Sequence, residues 1–198
     1  MRFSLSNRLS SVSALGFAVC LASWGCSSGP VAAPTSYTQF ESKDKQVKFE
    51  YPTGLEVTAS GGQGLLSHSI FQMGPAKIDV ACDVAGSLIA GPASPRNDPN
   101  IEPPVVRIHE LGLKNVQEDM SGYEEQQAQP IQTKVGEGRV SEFTAAGSIG
   151  GKIRGFRATA LTRDRRVTVI CTCPVRDWET LKPAFTQVIS SLTQGSGR

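Results

Sequence analysis

Histidine is nearly missing from this chain, which has only His68 and His109 among its 198 residues. That excludes a multi-histidine metal centre and leaves few general bases for acid–base catalysis. Phosphate-loop and zinc-protease signatures are missing as well: no glycine-rich loop runs into Lys-Ser or Lys-Thr, and no His-Glu-x-x-His occurs. Gly61-Gly62-Gln63-Gly64 has the glycines of a phosphate loop but leads into an apolar, strand-like run, and it reads as a turn. Nor is there a strong charge of either sign. Once the N-terminal segment carrying Arg2 and Arg8 is set aside, 18 basic residues face 18 acidic ones, and no global attraction to nucleic acid remains. Nothing in the sequence calls for a metal or other cofactor.

The N-terminus also lacks an apolar run of spanning length. Leu9 to Leu21 holds thirteen residues, short of the ~20 that cross a bilayer, and it follows the two arginines. This describes an export signal over Met1 to Cys26. Its end, Leu21-Ala22-Ser23-Trp24-Gly25-Cys26, resembles the lipobox of bacterial lipoproteins, where a small residue precedes a cysteine that takes a diacylglyceryl group and becomes the new N-terminus. Gly25 and Cys26 fit that pattern, so Cys26 is the expected lipid attachment. Ordinary cleavage after Val31-Ala32-Ala33 is the alternative, with Pro34 a poor following residue. Ser27 to Ser36 is small, uncharged and holds two prolines, as a flexible tether does. Ser27, rather than an aspartate, after the cysteine implies by the same resemblance delivery to the outer membrane, facing the periplasm. Residues 37–195 are then a single domain.

Of the five cysteines, Cys82, Cys171 and Cys173 remain once Cys20 leaves with the signal and Cys26 is acylated. In an oxidising compartment Cys82 can pair with Cys171 or Cys173; equally, all three can stay reduced as small buried hydrophobes. Cys171 and Cys173 also suggest a thiol-redox site, against which stands an alternation that turns both sulfurs inward.

Val167, Val169, Cys171 and Cys173 alternate with Thr168 and Thr172, which predicts a strand with one apolar face. Trp178, Leu181, Phe185, Val188, Ile189 and Leu192 then fall within an arc of roughly 100° and predict a helix docked on the sheet. Upstream, Val47-Phe49-Tyr51 and Leu55-Val57 read as strands opening an antiparallel meander, continued by Leu65 to Met73 and Lys77 to Val84. Gly86 to Pro103 is rich in proline, has no aromatic residue and reads as disordered. Pro104 begins a helix running to Val116, on which His109 is expected to be solvated or a cap. Four more strands follow, around Ile131 to Val135, Arg139 to Ala145, Lys152 to Thr162 and Arg166 to Cys173. The order of two meanders, each followed by a helix, predicts an α+β fold, an antiparallel sheet with helices packed on it.

Phe40-Glu41-Ser42 with Val47-Lys48-Phe49-Glu50-Tyr51-Pro52 at one end, and Pro183-Ala184-Phe185 through Ile189-Ser190-Ser191-Leu192 at the other, resemble the PsbP/Mog1-like superfamily. The resemblance implies an α/β/α sandwich. Its members include photosystem extrinsic subunits, Ran-binding proteins and bacterial lipoproteins, and only the last group matches an export signal with a cysteine. No catalytic, metal-binding or Ran-contacting residue carries over to this chain.

Charge is divided along the domain. Glu102 to Glu142 has eight acids against four bases, whereas Lys152 to Lys182 has eight bases against three acids. Either neighbouring strands pair these charges internally, or Arg163, Arg165 and Arg166 face an envelope protein or anionic envelope component. Glu124-Glu125 and Glu118-Asp119 read as solvated surface. The functional expectation is a membrane-anchored lipoprotein that binds or scaffolds without catalysis; the alternative is a periplasmic thiol-redox or other enzyme using Cys171 and Cys173.

Overall fold

A computed structural model describes residues 31–60, 67–84, 102–148, 150–162 and 165–197. The export signal with Cys26, the start of the tether, the Gly61-Gly62-Gln63-Gly64 turn, the Gly86 loop as far as residue 101, and Arg163 lie outside the described residues.

Alternating apolar residues build one large antiparallel sheet from β3 (Glu56–Ser60), β4 (Ser67–Met73), β5 (Ala76–Val84), β6 (Glu124–Glu125), β7 (Gln129–Thr133), β8 (Gly136–Ala146), β9 (Lys152–Leu161) and β10 (Arg165–Pro174). The strand order is β3-β4-β5-β10-β9-β8-β6, with β7 also on β8. The two meanders are therefore joined through β5 and β10, which set Val167 opposite Cys82 and Cys171 opposite Ile78. Both strands are apolar on the same side, so this register stacks Ile78, Val80, Cys82, Val167, Val169, Cys171 and Cys173 into one buried surface.

A helix, α3 (Trp178–Ser190), covers that surface. The expected face is entirely buried: Trp178, Leu181, Phe185, Val188, Ile189 and Leu192 are at most 2% exposed, and Ala184 joins them. Beside α3 on the same side lies a second sheet of β1 (Tyr37–Glu41), β2 (Val47–Pro52) and β11 (Thr193–Gln194), in the order β1-β2-β11. This corrects the expectation that the Val47 strand opens the main meander. Gly54, at φ +90, lets the chain turn after Pro52 and change sheets. β2 instead pairs with the segment that leaves α3, and Phe49 and Tyr51 stack with Phe40 against Phe71 of β4, at ring separations of 4.6–5.3 Å among Phe40–Phe49, Phe40–Phe71, Phe49–Phe71 and Tyr51–Phe71.

On the opposite face, the expected single helix is two: α1 (Pro104–Leu111) and α2 (Leu113–Asp119), divided at Gly112. Pro104 opens α1, where a missing N–H costs nothing. The helix stops because Arg157 Nη1 of β9 donates to the His109 carbonyl at 2.6 Å, taking an acceptor at the helix end. Close approach also governs Gly155 of β9, where any Cβ would collide with the Cys171 carbonyl and the Phe143 ring. The whole is an α+β sandwich with the large sheet in the middle.

The tether expectation also needs correction at its C-terminal end. Val31 packs against the core, its N–H donates to Asp177 Oδ1 at 3.4 Å, and the Ser36 carbonyl accepts from the Thr53 N–H at 3.0 Å. A chain so held lies along the domain instead of lifting it.

Candidate functional site

The densest group of polar side chains lies beneath α1. β9 carries Phe156, Ala158 and Ala160 toward α3, so its alternate positions Arg157 and Thr159 face α1, and the β8–β9 pairing puts Ser141 of β8, with Phe143, on that same face. His109 descends onto them from α1 and Glu125 reaches in from β6. All but Glu125 are no more than 3% exposed, and the Glu125 side chain is only 9% exposed. Arg157 grips Glu125 at two points, Nε to Oε2 at 3.0 Å and Nη2 to Oε1 at 2.7 Å. Tyr123 donates its hydroxyl to Glu125 Oε2. His109 lies 2.9 Å from Thr159 Oγ1 through Nδ1, 2.8 Å from Ser141 Oγ through Nε2, and 3.6 Å from Glu125 Oε1.

Two expectations are thereby overturned. His109 is neither solvated nor a cap, because α1 presents it to the sheet with Val105 and Ile108. Glu125 is not solvated surface, since pairing of β6 with β8 sets it opposite Phe143 and within reach of Arg157. Glu124, Glu118 and Asp119 are exposed, as expected.

Burial lowers the His109 pKa, favouring neutral imidazole. For Glu125, burial opposes ionisation, but hydrogen bonds from His109, Arg157, Ser141 and Tyr123 outweigh it and hold the carboxylate well below its usual range. Burial and the neighbouring Glu125 push the Tyr123 phenol up. Ser141 and His109 are at the distance of a nucleophile and its base, yet both are 1% exposed and the far nitrogen of His109 faces a hydroxyl instead of a carboxylate. A substrate has no route to them. Chemically the group is a clamp that fixes α1 and β6 to the sheet.

The three described cysteines are free thiols, all buried, so of the two readings left open by the sequence the pairing of Cys82 with Cys171 or Cys173 is not formed. The register explains it: Cys82 lies opposite Val167, four residues from Cys171 and so roughly 13 Å along the strand, beyond disulfide reach. Burial raises the pKa of all three, that of Cys82 to about 11 and that of Cys173 to about 12. These sulfurs have the environment of core residues, opposite to that of a reactive thiolate.

Internal pairing absorbs much of the divided charge. Arg154 Nε donates to Glu142 Oε1 at 2.6 Å, Lys182 Nζ bonds the other Glu142 oxygen at 3.1 Å, and both cations lie over the Trp178 ring at 5.1 and 5.5 Å. Arg166 is tied to Asp83 across the β10–β5 pair, Nε to Oδ1 at 3.0 Å. Arg165 and Arg166 sit together at the start of β10, at the end of the sheet opposite to Val175. Among the described residues no three histidine, cysteine, aspartate or glutamate side chains gather as metal ligands, and no helix is long and apolar enough to cross a membrane.

The buried clamp carried a signal that sequence reasoning passed over: Arg157 and Thr159 alternate with the apolar Phe156, Ala158 and Ala160 along β9. No family model and no curated protein matches the chain. Among solved structures it is similar to cyanobacterial PsbP (CyanoP) from Synechocystis sp. PCC 6803, with a TM-score of 0.57 at 13% identity over 85% of this chain and 96% of that one. It is similar also to LpqN of Mycobacterium tuberculosis, described as involved in cell envelope biogenesis, with a TM-score of 0.51 at 8% identity over 81% and 91%. Identities this low speak for architecture alone, and the architecture of this chain is the PsbP-like α+β fold.

Proposed function

We propose that this chain is an exported lipoprotein, anchored through Cys26 to the outer membrane on its periplasmic side, that binds an envelope protein or an anionic envelope component without catalysing a reaction. The observation that carries the reading is the Gly25-Cys26 junction after a short uncharged apolar run. It is supported by a domain whose His109–Glu125 group and three described thiols are turned inward. The shared fold with LpqN, a protein of cell envelope biogenesis, agrees with a place in the envelope. Arg163, Arg165 and Arg166 are the proposed contact to the partner. The thiol-redox reading of Cys171 and Cys173 has burial and raised thiol pKa values against it.

Cys26→Ala should move the protein from the membrane fraction to the soluble fraction, with no change in the domain. Sedimentation of the variant with membranes after a high-salt wash, or a native N-terminus without a diacylglyceryl group, would refute the anchor.

A further inference from the structure

We propose that the domain stands on its membrane by one end of the large sheet, with Lys152, Val175 and Arg176 against anionic lipid headgroups and the Arg165–Arg166 end directed away. This rests on the Cys26 anchor and adds to it an orientation and a lipid contact.

The argument begins with the docked chain at Val31. Only four residues separate Cys26 from Val31, and a fully extended chain of that length reaches roughly 17 Å. Val31 is itself held, by packing against the core and by donation to the buried Asp177 at the junction of β10 and α3. A lipid at Cys26 therefore brings that junction to within about one tether length of the headgroups. A long flexible tether would leave all orientations open; this one does not.

What surrounds the junction suits such a surface. Val175, 44% exposed, and Arg176, with 61% of its side chain exposed, form the turn that precedes Asp177. The β9–β10 pairing ends with Ile153 opposite Pro174, so exposed Lys152 and Val175, the next residue outward on each chain segment, lie at the same end of the sheet. An exposed aliphatic side chain between two cations fits the headgroup boundary of an anionic bilayer, where each basic residue adds attraction that decays within a Debye length. Two acids lie close by: Asp177, buried 3.6 Å from Arg176 Nε, offsets part of that cation, and the exposed Glu179 lies 3.9 Å from Arg154 Nη1, so Lys152 is the cation here without a nearby acid among the described residues. Val84, 57% exposed, pairs with Arg165 at the far end of β10, roughly 33 Å of strand from Val175.

The test uses the full chain, purified from membranes and reconstituted into phosphatidylethanolamine vesicles containing a quarter phosphatidylglycerol and an energy acceptor on the headgroups. Val175→Cys and Val84→Cys each receive a donor dye; Cys82, Cys171 and Cys173 are buried and escape it. Transfer from position 175 should exceed that from position 84 several-fold, and Lys152→Glu with Arg176→Glu should reduce the difference. Equal transfer from both positions, or more from 84, overturns the orientation. A difference indifferent to the charge reversals and to salt overturns the headgroup contact. Mass spectrometry of the same preparation reads the N-terminus, so an unacylated chain, which overturns the anchor as well, is distinguished from an acylated chain that stands otherwise.

Discussion

Arg157 is the residue on which most of the polar interior depends, since it holds both oxygens of Glu125 and the His109 carbonyl in the last turn of α1. Arg157→Met would leave Glu125 a buried carboxylate without its cation, a loss on the order of 3–5 kcal/mol. Arg166→Met breaks a pair nearer the surface and should lose at most about 1 kcal/mol. Urea denaturation midpoints measure the contrast, and equal shifts would contradict the clamp. The same residues set an acid dependence. His109 binds its proton less readily folded than at its ordinary pKa of 6.5, and Glu125 less readily than at 4.5. The unfolded chain therefore holds more protons below those values, and stability falls as pH falls. Folding free energy should be flat between about 6.5 and 9, decline above 9 as the raised thiols ionise more readily in the unfolded chain, and decline below 6.5, more steeply below 4.5; His109→Gln should remove the upper part of the acid decline in a pH series of urea titrations. Arg157 and Glu125 lie 32 positions apart in sequence, and which of many acids meets which base depends on strand order, so this pairing was not legible beforehand.

At the scale of elements, α3 was the clearest reading and rests on one repeated pattern, apolar residues on a single helical face. Phe185, 2% exposed against the sheet, should lose on the order of 3–5 kcal/mol on substitution by alanine. Gln187 is unsuitable as the neutral comparison, because its Nε2 donates to Glu50 Oε2 at 2.7 Å and bridges α3 to β2. Thr186 is exposed and bonds only within the helix, so Thr186→Ala should leave the midpoint nearly unchanged. Equal midpoints for Phe185→Ala and Thr186→Ala would mean that α3 does not dock as described. The α1–α2 break had no comparable local signal. Gly112 is tolerated within many helices, and what ends α1 here is a guanidinium delivered from β9.

For the whole molecule, the three thiols report on the integrity of the sandwich. Ellman's reagent should find Cys82, Cys171 and Cys173 inert in the folded protein and all three reactive in urea without a reducing agent. A fast native thiol would revive the redox reading, and fewer than three in urea would reveal a disulfide. Their isolation follows from assembly of the two meanders through β5 and β10, which share an apolar face and so meet in the register that buries it.

Local periodicity by itself determined most strands, the docking face of α3 and the α+β class, because side-chain direction repeats every two residues in a strand and about every 3.6 in a helix. It determined as well that the cysteines of the domain point inward. Only the tertiary structure decided that β2 leaves the main sheet, that His109 and Glu125 are interior, and that the chain at Val31 is held against Asp177. Each of those depends on contacts between segments far apart in sequence, whose strength comes from the partner's burial and charge, and neither is written in the local order of residues.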